Sequence, residues 1–408
     1  MSNKKGIIKK MKKAAALILC IFMLILIVSG CVKEELNPGE ETTPVSQTPT
    51  GDVSPSNEPS TEPSTGNEPE DIIHLNIIDF EAAFKTFAPD AVMIKLGDYS
   101  VTWDELYFQL YGIVNSYLNS LGGESLNWSE IYYDMTIADA VLDYATENIV
   151  MYKIIEYAAK TTSVALSPED IEILHDDWNK AVERYGSEEE FKKYLWETYG
   201  FSSLELFKYI TTTSYLAKNL QNSLYGENGE LLPEEDMAEF TAADGFLMAK
   251  HILCFIPQEG EDTAKDTIEL VFEQLNNYTG SDFDTFFDKL MYQYSEDEGG
   301  LQDFPDGYLF QYGDMVPSFY EGCLALEIGK YSGVIESEYG YHIIYRLPID
   351  YDEVPYANYA QYDYRTLRQM ISQIMFEDKL FGWRDELEIE YTDKYNSIDV
   401  AEIFKTSD

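Results

Sequence analysis

The strongest constraint on this chain is a pair of matching segments, each of which begins with a histidine and continues as a short apolar run. The first segment, HILCFI, covers residues 251–256, and the second, HIIYRL, covers residues 342–347. Both are rich in β-branched and aromatic residues and therefore predict strands. The chain contains only four histidines, and two of them have this context. If the two strands are neighbours in one sheet, the two imidazoles come together.

Residues between the two segments add an acid and an apolar pair. The acid is Asp297, and the apolar pair is Met315 and Phe319, which share a helix face if the helix has begun by Met315. The predicted arrangement is a small polar network beside a hydrophobic pocket. A Met/Phe pair at this spacing is also typical of an ordinary core, and an acid in this context is also typical of a loop cap. Both interpretations of each feature stay open.

The formal net charge of −46 argues against one class of function. Nucleic-acid binding requires basic patches that contact phosphates, which so acidic a chain does not favour. The acidity favours solubility and attraction to cationic partners. The sequence also lacks metal-ligand spacing, phosphate-binding loops and the common nucleophile motifs. We therefore expect no cofactor and no metal.

The N-terminus has the pattern of a bacterial lipoprotein signal. Basic residues come first, residues 14–28 form an apolar segment, and the tetrapeptide VSGC at 28–31 resembles a lipobox. The apolar segment is too short for a comfortable membrane span. These features predict a signal peptide over residues 1–30 and a lipid on Cys31, which would anchor the chain at the outer face of the cell membrane. An ordinary signal peptide and an uncleaved anchor are the alternatives.

Two cysteines remain once the predicted signal peptide and the lipid site are set aside. Cys254 lies in a predicted strand and Cys323 in a predicted helix. The sequence is compatible with a disulfide between them and with two buried thiols, of which the thiols are the simpler expectation.

Composition and hydrophobic periodicity divide the rest of the chain into four parts. Residues 31–71 are rich in Pro, Ser, Thr and Glu and predict a disordered linker after the lipidated cysteine. Residues 72–247 show helical spacing of apolar side chains and predict a helical domain with one short strand. Residues 248–349 predict a small α+β domain with an antiparallel sheet, and residues 350–408 return to helix. The predicted fold class is α+β.

Local signals predict the elements around the candidate site. A capping box at residues 102–105 starts a helix in the first domain. In the α+β domain we expect strands at 249–256 and 341–347, helices at 263–277, 282–293 and 316–325, a strand near 332–336 and a loop over 294–314. One long helix is expected from residue 357 to about residue 386.

Together, the two histidine-led segments, the acid and the Met/Phe pair resemble the parvulin-type peptidyl-prolyl isomerases. The resemblance covers about a quarter of the chain. With the lipobox and the linker, the whole chain resembles the extracytoplasmic foldase lipoproteins of Gram-positive bacteria, the PrsA group, whose layout is similar to that of SurA. The resemblance implies that a C-terminal helix packs back on the helical domain, so that the isomerase-like domain is an insertion. It also implies unfolded or newly secreted proteins as partners, and it leaves a homodimer open.

The same resemblance implies a catalytic set. His251 and His342 match the two histidines of the parvulin site, and Asp297 falls where the family has a Cys or an Asp. Paired neutral imidazoles can donate and accept hydrogen bonds in series, so we expect the histidines to orient the site. A carboxylate at Asp297 would repel the carbonyl oxygen of the substrate and favour a twisted amide.

A substrate-binding set is implied as well. Met315 and Phe319 match the side chains that grip the proline ring in parvulins. Ser337 falls where a small hydroxyl residue often completes the polar network, and Tyr339 falls where an aromatic residue often forms a wall of the pocket. Ordinary loop packing is the alternative for these last two residues.

The sequence departs from the parvulin pattern directly after the acid. Most parvulins have a longer loop there and then Gly-Gly-Asp-Leu-Gly, whereas Asp297 is followed at once by EGG and a different run over residues 301–308. This departure motivates a second hypothesis, in which the chain is a holdase with a weak or inactive isomerase domain. A structural lipoprotein of the wall or surface is a third, based on the acidity and the linker. Isomerase turnover separates the first two hypotheses.

Overall fold

A computed structural model describes residues 78–121, 126–257 and 263–405 of the chain. The predicted signal peptide, the predicted lipid site at Cys31 and the predicted linker lie outside the described residues. The chain forms two compact units: the first comprises the chain up to Leu220 together with the chain from Leu380 onward, and the second comprises Gln221–Lys379. The second unit is therefore longer at both ends than the segment 248–349 expected from the sequence.

The first unit is mainly helical and contains a small sheet near its start. Its elements up to the second unit are α1 (Phe80–Phe84), β1 (Val92–Leu96), β2 (Tyr99–Thr102), α2 (Trp103–Ser120), β3 (Ile131–Tyr132), β4 (Met135–Thr136), α3 (Ile137–Thr162), α4 (Pro168–Tyr185), α5 (Glu188–Tyr199) and α6 (Leu204–Tyr225), the last of which crosses the division.

The predicted capping box starts α2. The backbone N–H of Thr102 donates to Oε2 of Glu105 at 2.9 Å, and Glu105 is the third residue of the helix. Ser167 caps α4 in the same way, with Pro168 at the first helical position. The polar side chains satisfy backbone donors that a helix start leaves without an intrahelical partner. These boundaries follow from local sequence alone.

The second unit contains a four-stranded antiparallel sheet with strand order β6-β5-β8-β7. Its elements in chain order are α7 (Glu234–Asp244), β5 (Leu247–Phe255), α8 (Thr263–Asn276), α9 (Phe283–Tyr294), α10 (Glu298–Asp303), β6 (Tyr308–Phe310), α11 (Pro317–Leu324), β7 (Ile335–Glu336), β8 (Gly340–Leu347), α12 (Tyr356–Tyr359) and α13 (Leu367–Asp385), the last of which crosses back into the first unit.

The two faces of this sheet carry separate cores. Helices α8 and α9 pack on one face, where Ile252, Cys254 and Ile343 are buried. Helix α11 packs on the other face, where Phe319, Cys323 and Ile344 are buried. Both central strands are buried on both sides, which explains why they appear in the sequence as continuous apolar runs.

The C-terminal segment belongs to the first unit. It contains β9 (Ile389–Tyr391), α14 (Asp393–Asn396) and α15 (Val400–Ile403). Strand β9 pairs antiparallel with β1, so the sheet order is β2-β1-β9. The ring of Phe404 stacks on the ring of Tyr107 with centroids 5.9 Å apart. Residues 72–247, with β1 to β4, contain more sheet than the single short strand expected there from the sequence.

Two expected elements around the site are wrong in detail. The segment 294–314 is not a plain loop, because it contains α10 and β6. The helix expected from residue 357 to about residue 386 is interrupted over 360–366, where Tyr362 has a φ of 60° in the left-handed region. The Asp363 side chain accepts from the backbone N–H of Arg365 at 3.2 Å and favours a turn there. Even so, the expected α+β fold class is confirmed.

The described ranges, 78–121, 126–257 and 263–405, lack two kinds of feature. None of their helices combines the length and apolar character that crossing a membrane requires. No group of three or more His, Cys, Asp or Glu side chains in these ranges has the arrangement of a metal site.

Candidate active site

The register of β5 and β8 brings the two histidines together. His251 is paired with Ile344, and Leu253 with His342, so the two histidines are diagonal neighbours on the α11 face of the sheet. Nδ1 of His251 lies 3.2 Å from Nδ1 of His342, and the two rings are nearly parallel at 15°. Both side chains are almost fully buried, with 8% and 3% of the residue exposed.

Asp297 holds the other side of His251. Its Oδ2 lies 2.7 Å from Nε2 of His251 and accepts a second hydrogen bond from the hydroxyl of Tyr308 at 2.8 Å. Its Oδ1 accepts from the backbone N–H of Gly300 at 3.0 Å, so Asp297 is also the N-cap of α10. The structure therefore shows the capping role of this carboxylate, and its catalytic role stays a prediction.

The environment determines the charge of these groups. Burial alone would raise the pKa of Asp297, but the hydrogen bonds from His251, Gly300 and Tyr308 and the nearby His251 ring together lower it to about 2. Burial, with a smaller contribution from His251, lowers the pKa of His342 to about 4. At neutral pH the site therefore contains a carboxylate and a neutral His342.

Ser337 completes the chain of polar contacts. Its Oγ lies 2.7 Å from Nε2 of His342 and accepts from the backbone N–H of Tyr339 at 3.1 Å. When His251 is also neutral, one assignment of protons satisfies every contact. Ser337 donates to His342, His342 donates through Nδ1 to His251, and His251 donates through Nε2 to Asp297, which accepts only.

An aromatic side chain from α11 lies against both imidazoles. The ring of Phe319 is edge-on to His251, with centroids 5.1 Å apart, and edge-on to His342, with centroids 5.6 Å apart. Phe319 is 3% exposed, and Met315 is partly buried against the same cluster. Helix α11 begins at Pro317, so Met315 precedes the helix and the condition for a shared helix face is not met. Pro is favoured at the first helical position, which explains this start.

Tyr339 is the most exposed of the expected site residues. Its exposed fraction is 57%, and its backbone, not its ring, contacts Ser337. The structure thus brings together His251, His342, Asp297, Ser337 and Phe319, with Met315 in the same apolar cluster and Tyr339 at the edge.

Sequence reasoning did not identify Tyr308, whose hydroxyl binds Asp297 and whose ring is edge-on to that of His251 with centroids 5.7 Å apart. The only signal for it was the departure from the parvulin pattern over residues 298–308. That departure does not indicate that a tyrosine would contact the acid. The expectation of two buried thiols is confirmed: Cys254 and Cys323 are free and buried, and they belong to the cores on opposite faces of the sheet.

Comparison with known proteins identifies the class of this domain. Residues 251–347 match the family model of the rotamase, or PPIC-type peptidyl-prolyl isomerase, domain. This segment contains all seven expected site residues of the α+β domain. The chain therefore carries a parvulin-type peptidyl-prolyl isomerase domain, and the resemblance seen in the sequence is confirmed.

Curated relatives extend the similarity beyond this domain. The chain is 35% identical to the foldase protein PrsA of Halalkalibacterium halodurans over 29% of this chain and 32% of the relative. It is 25% identical to the foldase protein PrsA of Caldanaerobacter subterraneus subsp. tengcongensis over 50% of this chain and 57% of the relative. The matches thus span about a third to somewhat over half of these relatives.

Two solved structures match the chain at low sequence identity. The crystal structure of the peptidylprolyl isomerase PrsA from Bacillus cereus is 18% identical and has a TM-score of 0.31, with 78% of this chain and 100% of that chain covered. A SurA-like chaperone from Campylobacter jejuni is 16% identical and has a TM-score of 0.21, with 65% of this chain and 100% of that chain covered.

Proposed function

We propose that this chain is a foldase that catalyses cis/trans isomerisation of X-Pro peptide bonds in unfolded or newly secreted proteins. The observation that carries the proposal is the contact of both buried histidines with Phe319, inside a segment that matches the PPIC-type isomerase domain. The proposal includes attachment to the outer face of the cell membrane through a lipid on Cys31.

Cis/trans isomerisation of an X-Pro bond breaks no covalent bond. Rotation about an X-Pro bond is slow because the conjugated amide imposes a barrier of roughly 18–20 kcal/mol. The cis and trans ground states differ by only about 0.5–1 kcal/mol. A catalyst therefore needs only to bind the twisted amide, which has lost conjugation, more tightly than either planar form.

The site contains the parts that this task requires. We assign the apolar surface for the proline ring to Met315, which is partly buried in the same cluster as Phe319. Phe319 itself is buried and contacts the two imidazoles. The hydrogen-bond chain from Ser337 to Asp297 fixes both rings before substrate arrives, so that no reorganisation is needed during rotation. In this proposal the proline rests on the apolar surface while the peptide on one side of the bond turns, and Asp297 acts through His251.

The first experiment follows proline cis/trans exchange by NMR in a short peptide, with the chain from Asp71 onward. We expect the parent chain to accelerate exchange and His251→Ala, Asp297→Ala and Met315→Ala to lose about 10²-fold in rate, because each disturbs the preorganised geometry. His175→Ala is the matched control, since His175 is exposed and lies in the first unit. Equal rates in all four variants would contradict the assignment of the site.

A second candidate function is a holdase whose isomerase domain only binds peptides. The observation that favours it is the engagement of Asp297 by three donors, which leaves this carboxylate little capacity to act on substrate. Both candidates suppress aggregation of unfolded proteins, so turnover decides between them. A well-folded parent chain that leaves proline exchange unchanged would support the holdase.

The membrane attachment is tested separately from the chemistry. In the host, mass spectrometry of the N-terminal peptide should show diacylglycerol on Cys31, and Cys31→Ala should release the chain from the membrane fraction. An unmodified cysteine in a cytosolic chain would overturn this part of the proposal.

A further inference from the structure

The segment between Asp297 and β6 places Tyr308 in the candidate site. Helix α10 and the turn after it occupy residues 298–307, and Tyr308 is the first residue of β6. The hydroxyl of Tyr308 donates to Oδ2 of Asp297, the same oxygen that faces Nε2 of His251. The ring of Tyr308 stacks on Phe304, with centroids 4.6 Å apart, and is thereby held in place.

Gly300 provides the space in which these groups meet. A Cβ atom at Gly300 would lie 2.5 Å from Oδ2 of Asp297 and 2.6 Å from the hydroxyl of Tyr308, so that one or both of these side chains would have to move. A Cβ atom at the neighbouring Gly299 would lie 3.8 Å from its nearest neighbour, Oδ1 of Asp297. The contact between Tyr308 and Asp297 therefore depends on glycine at position 300 and not at position 299.

The chemistry of the pair fixes the direction of the hydrogen bond. The carboxylate of Asp297 accepts only, so Tyr308 must donate. Burial, reinforced by the hydrogen bond to Asp297, raises the pKa of Tyr308, and the phenol keeps its proton throughout the ordinary pH range. With a donor on each side of Oδ2 and the Gly300 N–H on Oδ1, the carboxylate has one rotational setting.

We propose that Tyr308 is a positioning residue of the isomerase site, and that its hydroxyl and the space at Gly300 lock Asp297 toward His251. A locked Asp297 requires the Nε2–H tautomer of His251, which leaves Nδ1 of His251 to accept from His342. The hydrogen bond from Tyr308 to Asp297 then determines the tautomers of both imidazoles. The catalytic consequence rests on the proposed isomerase function, whereas the effect on the tautomers does not.

The test uses the chain from residue 31 onward with Cys31→Ser, which keeps every residue that the structure describes. Ring ¹⁵N spectra are well suited because the sequence contains only four histidines. The parent should show a single Nε2–H tautomer for His251. Tyr308→Phe should move the two ring nitrogen shifts of His251 toward each other, through mixing of tautomers, and should lower kcat about tenfold with peptide affinity unchanged.

Three further variants separate positioning from packing. Gly300→Ala should reproduce the changes of Tyr308→Phe with a larger loss of kcat, and Gly299→Ala should leave spectrum and rate as in the parent. Tyr345→Phe removes the hydroxyl that binds Asp284 in the same unit, outside the site, and should also change neither. In an Asp297→Asn background, Tyr308→Phe should cause no additional loss, because its effect passes through the acid.

The outcomes are distinguishable. A parent-like ¹⁵N spectrum and a parent-like kcat in Tyr308→Phe would overturn the positioning role, as would an additional loss in the Asp297→Asn background. If the parent itself does not accelerate proline exchange, the isomerase proposal fails, and the ring spectra of His251 still decide whether Tyr308 determines its tautomer.

Discussion

Each of the two units buries a polar network, and the networks differ in how they carry charge. In the first unit, Nζ of Lys153 lies 2.6 Å from Oε1 of Glu105 and 3.7 Å from Oε1 of Glu156, and it is 4.2 Å from the ring centre of Tyr209. In the second unit, a series of hydrogen bonds from Ser337 to Asp297 passes through two imidazole rings, and His342 is neutral at neutral pH.

This difference shows what each network depends on. The first depends on pairing of opposite charges, because a buried charge that loses its partner is strongly destabilising. The second depends on the direction of its hydrogen bonds, because neutral rings can donate or accept at either nitrogen. We therefore expect single substitutions to cause the largest loss of stability in the first unit and the largest loss of orientation in the second.

Removal of the buried cation should have the largest effect. Lys153→Met leaves Glu105, whose side chain is 12% exposed, without its cation, so we expect the free energy of unfolding to fall by about 3–5 kcal/mol. Urea unfolding followed by tryptophan fluorescence measures this, because all five tryptophans lie in the first unit. Lys95→Met is the control, since that lysine is 52% exposed and its pair with Glu390 contributes less than about 1 kcal/mol. Equal losses in both variants would remove the distinction between the networks.

The second-largest effect should be the pH dependence of the stability of the second unit. The pKa of His342 is about 4 in the folded chain and 6.5 in the absence of burial. Between these values the unfolded chain binds a proton at this ring that the folded chain does not bind, so the contribution of His342 to stability falls by on the order of 3 kcal/mol as the pH drops from about 6.5 to about 4. The stability of the parent relative to His342→Gln should show this decline, as measured by urea-dependent hydrogen exchange of β8 amides.

A buried acid of the same unit titrates in this window with the opposite sign: burial raises the pKa of Glu377 to about 7, so its contribution to stability grows as the pH falls. Comparison of the parent with His342→Gln cancels this contribution, because both chains contain Glu377. The pKa of Asp297 is about 2, so its contribution is lost only at lower pH. His175→Gln, at an exposed position in the first unit, should retain the decline of the parent. A difference between the parent and His342→Gln that does not change with pH would mean that the neutral state of the second network is not set by this ring.

Loss of the hydroxyl at the end of this series of hydrogen bonds should have a smaller effect on stability. Ser337→Ala leaves the buried Nε2 of His342 without its hydroxyl partner, and we expect a loss of about 2 kcal/mol. The same exchange experiment at pH 7 measures it. Ser281→Ala, at an exposed position of the same unit, should change stability by less than about 0.5 kcal/mol. If both serine variants behave alike, the hydroxyl is not part of the network.

The smallest effect is expected for a hydroxyl in the first network. Tyr209 donates to Oε1 of Glu156 at 2.5 Å, but Glu156 is about a third exposed and keeps Lys153 nearby. Tyr209→Phe should therefore cost only about 1 kcal/mol by tryptophan fluorescence. Tyr133→Phe is the control, because Tyr133 is 88% exposed. A loss as large as that of Lys153→Met would show that the hydroxyl, and not the ion pair, dominates the first network.

The sequence predicted the elements that depend on local signals. The capping residue Thr102 gave the start of α2, and the histidine-led apolar runs gave β5 and β8 and the meeting of the two imidazoles. Pro317 was an available signal for the start of α11, and it should have excluded Met315 from that helix.

Contacts over long sequence distances were not predictable in the same way. Strand β9 is only three residues long, and its pairing with β1 joins parts of the chain separated by about 295 residues, as for the contact of Lys95 with Glu390. The contact of Tyr308 with Asp297 depends on α10 and on the space at Gly300, and a departure from a family pattern does not specify either. Such features need tertiary geometry, since the residues involved carry no periodic signal.

The split of the first unit into two chain segments has a consequence during synthesis. Strand β1 lies in the middle of its sheet, and the edge that β9 covers stays open until residues 389–391 leave the ribosome. The second unit is continuous in sequence and can complete its sheet before that moment. A chain that stops early would therefore display a finished isomerase domain beside an unpaired strand edge, which is a template for aggregation and a mark by which quality control can recognise an incomplete product.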